Sequence, residues 1–293
     1  MRRILITGAF GQLGMEMIPV LGKQYDILAT GRTVPGEMRS IPFTAPLDIT
    51  QARDVKAVIN SYRPEVILNL AAMTDVDACE LHPGQAQQVN RDGVQSLLEN
   101  FSGYVVQIST DYIFDGTAGP YRETDTPHPI NQYGRTKLAA EKLLLNSPNQ
   151  VLIVRTNVLY GYTKRTRASF VKWVVDSLKQ GQTIPVVEDQ WNNPTWTRAL
   201  AETVHFLVAN EVEGVYHCGG ADLLNRYQFA RRIAALFQLD GHLIQPVKTK
   251  TLNQPARRPL RSGLKTKKIE AEWQQSPLSV EAGLSQIKKA LET

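Results

Sequence analysis

Residues 3–14 read RILITGAFGQLG, a strand-like run that leads into glycines at positions 8, 11 and 14. In a turn between a strand and a helix, the first glycine permits a tight bend and the second lets the backbone approach a phosphate, while the third lets helix and strand pack closely. Free N–H groups at the start of the helix then favour an anion. This segment predicts a dinucleotide pyrophosphate site formed by Gly8, Phe10, Gly11, Gln12, Leu13 and Gly14.

Strands and helices alternate through the first half of the chain. Strands are predicted at residues 3–7, 26–30, 66–70, 104–109 and 151–156, and helices at residues 11–21, 51–62, 84–100 and 132–146. The strands are largely apolar along their whole length, which is typical of parallel strands buried on both faces. The pattern predicts an α/β fold with a Rossmann-like, doubly wound parallel sheet.

The second half of the chain has a looser pattern. Helices are predicted at residues 169–179, 199–209, 227–237 and 280–291, with short strands at residues 184–187, 214–217 and 243–246. Asn225 precedes the third of these helices and is expected to cap it. We therefore predict a dinucleotide-binding Rossmann domain over residues 1–160 and a smaller substrate-binding region over residues 161–293, with segments that return to the first domain.

Tyr133 and Lys137 lie four residues apart in a predicted helix, so both project from one face. A tyrosine hydroxyl normally has a pKa near ~10, and a nearby ammonium group is expected to lower that pKa. Such a pair can exchange a proton with a substrate oxygen while a hydride moves to or from carbon. The strand that precedes this helix ends in Ser109-Thr110, at the edge of the sheet where parallel folds bind ligands.

The glycine spacing GxxGxxG and the YxxxK pair resemble the extended branch of the short-chain dehydrogenase/reductase superfamily. More specific segments are STDYIFDG at residues 109–116, YRETD at residues 121–125 and PHPINQYG at residues 127–134. Together they resemble the dTDP-4-dehydrorhamnose reductase family. The resemblance implies an NAD(P)H-dependent oxidoreductase that reduces the 4-keto group of a nucleotide-linked 6-deoxy sugar. It also implies a place in dTDP-rhamnose and polysaccharide biosynthesis.

The same resemblance implies roles for individual residues. Thr110 would hydrogen-bond the reacting carbonyl, Tyr133 would donate the proton, and Lys137 would hold the nicotinamide ribose and tune Tyr133. The cofactor would also be lined by Asp48, Ile49, Leu70, Ala71 and Ala72.

Arg32 follows the second strand, where the superfamily places an acidic residue when NAD is the cofactor. A guanidinium group can hold the 2′-phosphate of NADPH, which a carboxylate would repel. The sequence therefore favours NADPH, with NADH as the alternative.

The substrate side implied by the resemblance comprises Thr74, Asp111, Tyr112, Asn157, Val158, Asn193 and Arg258. Val158 stands where the family usually has a tryptophan, so a flat surface for packing on the sugar is lost. Arg258, with its neighbour Arg257, is expected either to pair with a diphosphate or to fix a loop. These positions leave the sugar and the nucleotide base open.

The composition excludes several other classes. Two cysteines among 293 residues make neither a disulfide framework nor a metal site. The net charge of +5 is scattered, without the interleaved aromatic and basic residues of a nucleic-acid surface. No apolar run approaches the roughly 18 residues of a membrane span, and no secretory signal is recognised. We expect a cytoplasmic protein without a metal, and a homodimer is compatible with the sequence.

Two other interpretations remain open from the sequence. One is a different sugar-nucleotide reductase or epimerase of the extended branch. The other is a binding protein without turnover, since the regulatory beta subunit of methionine adenosyltransferase is similar to these reductases. The full set of Thr110, Tyr133 and Lys137 favours chemistry.

Overall fold

The computed structural model describes residues 1–38, 43–162 and 169–292. In chain order, the strands of this part are β1 (Arg3–Thr7), β2 (Asp26–Gly31), β3 (Thr44–Pro46), β4 (Val66–Asn69), β5 (Tyr104–Thr110), β6 (Gln150–Thr156), β7 (Leu159–Tyr160), β8 (Ile184–Val187), β9 (Trp191–Asn192), β10 (Thr195–Trp196), β11 (Gly214–His217), β12 (Leu224–Asn225) and β13 (Ile244–Val247).

The α-helices of the described residues are α1 (Gly14–Leu21), α2 (Ala52–Tyr62), α3 (Val76–Leu81), α4 (Pro83–Gln87), α5 (Gly93–Asn100), α6 (Gln132–Leu145), α7 (Phe170–Lys179), α8 (Thr197–Ala209), α9 (Arg226–Leu236), α10 (Lys267–Trp273) and α11 (Val280–Glu292). A π-helical turn, Gln88–Asp92, joins α4 to α5. The helix predicted over residues 84–100 is therefore interrupted in the middle.

The main sheet has the strand order β11-β6-β5-β4-β1-β2-β3, and each of its neighbouring pairs is parallel. One face packs on α1 and α8 through residues such as Met17 and Val204. The other face packs on α2, α5 and α6 through residues such as Val55, Leu97 and Leu144. The doubly wound parallel sheet predicted from the sequence is confirmed.

A second apolar cluster joins α7, α9 and α11 to β8 and β13. The chain after residue 160 also contributes to the first core, because β11 pairs with β6 and α8 packs on α1. The division of the chain into two domains at residue 160 stays a prediction. The segments expected to return to the first domain correspond to β11 and α8.

A buried ion pair fixes α6 to the sheet. The Arg155 Nη2 atom lies 2.7 Å from Oε2 of Glu141, and the two side chains are only 5% and 1% exposed. Ser109 donates a hydrogen bond of 2.5 Å to the same carboxylate. The guanidinium also faces Nε2 of His217 on β11. One carboxylate thus connects α6, β5 and β6.

We expect Glu141→Gln to lower the free energy of unfolding by about 3–5 kcal/mol, because it leaves the Arg155 charge buried without a counter-ion. Urea denaturation measures this change. Glu202→Gln is the matched control, since Glu202 pairs with Arg198 at the protein surface, and it should cost below about 1 kcal/mol. Equal effects of the two substitutions would contradict the importance assigned to the buried pair.

Candidate active site

The first glycine-rich turn forms a cradle at the carboxyl end of β1. The turn is held by a hydrogen bond from the Ala9 N–H to the Thr30 carbonyl, 2.8 Å. A Cβ atom at Gly14 would lie 2.3 Å from the carbonyl oxygen of Ala9, so only glycine allows this approach of α1 to the turn. The Nε2 group of Gln12 is buried without a hydrogen-bond partner among the described residues. A buried donor in a glycine cradle fits an anionic ligand such as a dinucleotide.

The other predicted cofactor residues surround this cradle. The ring of Phe10 lies against Gly31 at the end of β2. The neighbouring Arg32 side chain is exposed and makes no hydrogen bond or ion pair within the described ranges. Leu70, Ala71 and Ala72 follow β4 and are half-buried. They therefore lie at the carboxyl edge of the sheet, where the cradle also lies.

Asp48 and Ile49, two further predicted cofactor residues, have structural partners. Oδ1 of Asp48 accepts hydrogen bonds from the N–H and hydroxyl groups of Thr50, at 3.0 and 2.8 Å, just before α2 begins. Ile49 is buried in the core beneath α5. Asp48 itself is half-exposed.

The beginning of α6 is placed by its own cap and by a close backbone approach. The side chain of Asn131 accepts a hydrogen bond of 2.8 Å from the Gly134 N–H. A Cβ atom at Gly134 would lie 2.0 Å from the carbonyl oxygen of Tyr112. Glycine at position 134 therefore lets α6 contact the backbone that follows β5, which brings Tyr133 to Thr110.

Thr110, Tyr133 and Lys137 come together at the carboxyl end of β5. The Thr110 hydroxyl lies next to that of Tyr133 and acts to lower the pKa of Tyr133. Nζ of Lys137 donates a hydrogen bond of 2.7 Å to the carbonyl of Ile108. The Lys137 side chain is 3% exposed. This burial lowers the pKa of Lys137 to about 8, although the negative charge of Glu141 acts to raise it. The structure thus brings the three predicted catalytic side chains to one place.

The pKa of Tyr133 moves in the direction opposite to the sequence expectation. Burial raises the pKa of Tyr133 above its ordinary value, and only the Thr110 hydroxyl acts notably in the other direction. Lys137 points to a backbone carbonyl of β5 instead. Tyr133 consequently keeps its proton at neutral pH in this structure.

The π-helical turn supports the same site. The side chain of Asn90 accepts a hydrogen bond from the Met73 N–H at 2.7 Å and donates to the Met73 carbonyl at 3.0 Å. It also donates to the hydroxyl of Thr136 on α6, 3.1 Å away. Asn90 therefore connects the segment after β4 to the helix that carries Tyr133 and Lys137. Such π-helical turns are frequent at functional sites.

Of the predicted substrate residues, Asp111 and Tyr112 lie beside Tyr133. Asp111 is 2% exposed. The ring of Tyr112 meets that of Tyr133 edge to face, with centroids 5.9 Å apart. These two side chains form one wall beside the Thr110 and Tyr133 hydroxyl groups. Thr74, in the segment after β4, is exposed.

The remaining predicted substrate residues hold loops together. Asn193 donates a hydrogen bond to the Gly220 carbonyl at 3.2 Å and accepts one from the Leu264 N–H at 2.7 Å. The side-chain amide of Asn157 faces the backbone of Asn193. Arg258 forms a bidentate pair with Asp77, with bonds of 3.0 and 2.7 Å. Arg258 was expected either to pair with a diphosphate or to fix a loop. Its pair with Asp77 shows the second role.

Val158 has an unusual backbone conformation. Its φ of 42° lies in the left-handed region, which is rare for a β-branched residue and is typically found where surrounding structure enforces it. Its carbonyl accepts a hydrogen bond of 3.1 Å from the Thr195 N–H. Its half-buried side chain packs on the second apolar cluster. The position that resembles a family tryptophan site is thus held rigidly by β10.

Two residues at the site were not found from the sequence. Arg226, the first residue of α9, places its guanidinium next to Asp111 and Tyr112. Ser262 donates a hydrogen bond to Oδ2 of Asp111. Neither residue belongs to a local motif, and both come from segments more than 100 positions after Asp111. No sequence signal would have placed them here.

Other site types receive no support from the described coordinates. No three His, Cys, Asp or Glu side chains lie together as metal ligands in residues 1–38, 43–162 and 169–292. The helices over those same ranges include none with the length and apolar character that crossing a membrane requires.

The comparisons with known proteins agree with this geometry. The family model described as RmlD substrate binding domain matches residues 1–293. The chain belongs to this family. A dTDP-4-keto-6-deoxy-D-glucose reductase of Streptomyces niveus is 37% identical over 84% of this chain and 82% of its own length. A dTDP-4-dehydrorhamnose reductase of Aggregatibacter actinomycetemcomitans is 33% identical over 98% of this chain and 99% of its own length.

A solved structure extends the likeness to three dimensions. The dTDP-4-dehydrorhamnose reductase from Bacillus anthracis, crystallised in complex with NADP, has a TM-score of 0.89 and 30% identity, and the match covers 100% of both chains. The family predicted from the sequence is confirmed.

Proposed function

We propose that this chain is an NADPH-dependent reductase of the 4-keto group of a nucleotide-linked 6-deoxy sugar. The observation that supports this most directly is the meeting of Thr110 and Tyr133 beside the buried Lys137, at the carboxyl end of β5. This arrangement can bind a carbonyl oxygen and give it a proton. Membership of the RmlD family supplies the substrate class.

The proposed cofactor residues are Gly8, Phe10, Gly11, Gln12, Leu13, Gly14, Arg32, Asp48, Ile49, Leu70, Ala71, Ala72, Tyr133 and Lys137. The Nε2 group of Gln12 and the guanidinium of Arg32 have no hydrogen-bond partner among the described residues. Both support this assignment, because both can donate to phosphate oxygens. Arg32 is the residue that would favour NADPH over NADH. The bound cofactor supplies the hydride.

In the proposed mechanism, Thr110 and Tyr133 bind the oxygen of the 4-keto group. Because burial raises the pKa of Tyr133, this residue carries a proton at neutral pH and can donate it as negative charge develops on that oxygen. With a pKa of about 8, Lys137 is mostly protonated at neutral pH. Its positive charge in a buried site stabilises the same developing negative charge.

Thr74, Asp111 and Tyr112 are the proposed contacts of the sugar, since Asp111 and Tyr112 form the wall beside the reacting hydroxyl groups and Thr74 is exposed. Asn157, Asn193 and Arg258 are proposed to shape that wall, because their polar groups are engaged with protein partners. Val158 is proposed to give the sugar no aromatic ring to pack against. We propose that the side chains of this wall and Val158 select the sugar.

We expect Tyr133→Phe to lower kcat for NADPH oxidation with dTDP-4-keto-6-deoxy-L-mannose by about 10²–10⁴, since the proton donor is removed. Absorbance of NADPH follows the reaction, with the sugar generated in situ. Affinity for NADPH, measured by fluorescence titration, should change less than about twofold, because the ring remains in place.

Absence of turnover in the unsubstituted protein, together with tight NADPH binding, would contradict the proposed substrate. Turnover with another 4-keto sugar nucleotide would then identify a different reductase of the extended branch. Co-purification with a methionine adenosyltransferase, without any turnover, would support the interpretation as a regulatory subunit.

We expect Gly14→Ala to weaken NADPH binding by about tenfold or more, because the added Cβ meets the Ala9 carbonyl and forces α1 away from the turn. Gly84→Ala is the matched control, since no atom lies within 4 Å of an added Cβ there. Fluorescence titration of both folded variants measures the difference. Unchanged affinity in Gly14→Ala would place the pyrophosphate elsewhere.

A nucleotide sugar is the proposed small-molecule partner. The cytoplasmic location and the homodimer stay predictions from the sequence.

A further inference from the structure

The Thr110 hydroxyl has two hydrogen-bond partners among the described residues. It accepts a hydrogen bond of 3.1 Å from the Tyr112 N–H and donates one of 3.2 Å to Oδ1 of Asp111. The Tyr133 side chain lies next to the same hydroxyl. A threonine hydroxyl has one hydrogen to donate and two lone pairs that accept. Asp111 therefore takes the single hydrogen of Thr110, and the protonation state of Asp111 decides whether that hydrogen is free for another acceptor.

Asp111 is enclosed by polar groups from three parts of the chain. Ser262 donates to its Oδ2 atom, and the guanidinium of Arg226 on α9 lies nearby. The hydroxyl groups of Tyr112, in the turn after β5, and of Tyr133, on α6, are the titratable groups that face it. Burial raises the pKa of Asp111 to about 6, against the opposing effects of Ser262, Thr110 and Arg226.

When Asp111 is ionised, its carboxylate only accepts, so Thr110 must donate its hydrogen to Oδ1. One lone pair of Thr110 then accepts from the Tyr112 N–H. In this arrangement Thr110 has no hydrogen for a substrate carbonyl.

When Asp111 is neutral, Oδ2 still accepts from Ser262, so the added hydrogen lies on Oδ1 and is donated to Thr110. The lone pairs of Thr110 are now filled by Asp111 and the Tyr112 N–H. The Thr110 hydrogen then becomes available to a carbonyl oxygen, next to the Tyr133 hydroxyl. After Tyr133 has given up its proton, Thr110 can donate to the phenolate that remains.

We propose that Asp111 is a positioning residue that decides which way the Thr110 hydroxyl donates its hydrogen, and that the neutral form of Asp111 supports reduction. This proposal rests on the proposed reductase function. It differs from a sugar contact, because Asp111 acts through Thr110 and the effect depends on its protonation.

The test is the pH dependence of kcat/KM for the reductase reaction in the unsubstituted protein and in Asp111→Asn. Since neutral Asp111 predominates below its pKa, kcat/KM of the unsubstituted protein should fall as the pH rises from about 5 to about 8. An asparagine can donate its Nδ2 hydrogen to Thr110 and accept from Ser262 through Oδ1, which imitates the neutral acid. The fall should be absent in Asp111→Asn, with kcat/KM at the upper pH at least equal to that of the unsubstituted protein.

Two further variants test the direction of the effect. Ser262→Ala and Arg226→Gln each remove a group that lowers the pKa of Asp111, so the fall in kcat/KM should move to higher pH in both. Arg231→Gln is the matched control, because Arg231 lies on the same helix but is exposed and contacts the Gly241 carbonyl. That variant should keep the profile of the unsubstituted protein.

A measurement without turnover gives an independent check. The infrared C=O band of a protonated carboxylic acid should titrate near the Asp111 pKa and be missing in Asp111→Asn. Reductase activity with an unchanged pH profile in Asp111→Asn would overturn the proposal while leaving the reductase function intact. A folded Asp111→Asn protein with a raised KM and low activity at every pH would overturn it too and indicate a direct sugar contact. No turnover by the unsubstituted protein at any pH would instead refute the function itself.

Discussion

The carboxylate of Glu141 is the point on which the arrangement of the site depends. It lies on α6 one turn after Lys137 and binds both Arg155 on β6 and Ser109 on β5. Because all three partners are buried, their geometry is far more restricted than that of a surface ion pair. The helix that carries Tyr133 and Lys137 is thereby fixed relative to Thr110, and the proton-donating hydroxyl groups meet at a defined separation.

A second set of polar contacts joins the later half of the chain to the same edge of the sheet. Ser262 and Arg226 reach Asp111, while Arg258 pairs with Asp77 beside α3. Buried polar groups are favourable only when partners satisfy them. These contacts therefore hold the segments of the substrate side in one position over Thr110 and Tyr133, so that binding geometry and catalytic geometry are set by the same bonds.

Local patterns in the sequence were sufficient to predict most of the long helices and main-sheet strands. Apolar strand runs and helical periodicity located nearly all of the main-sheet strands within one residue, and Asn225 was correctly expected to cap its helix, where Gln228 completes a capping box. Such features depend on neighbours a few positions away. The short strand β3 was missed because three residues are too few to show a periodic pattern. The π-helical turn at Gln88–Asp92 was missed because a local change in hydrogen-bond spacing leaves no periodic signal in the sequence.

The sequence by itself determined the dinucleotide cradle, the Tyr133–Lys137 pair and the family, since spacing along one strand, turn or helix fixes which side chains share a face. Only the tertiary structure decided how those groups behave. Burial, which no local pattern specifies, raises the pKa of Tyr133 and of Asp111. Arg226 and Ser262 reach Asp111 only because α9 and the segment before α10 fold back over β5. Their role is set by packing between distant parts of the chain, and distance in sequence carries no information about it.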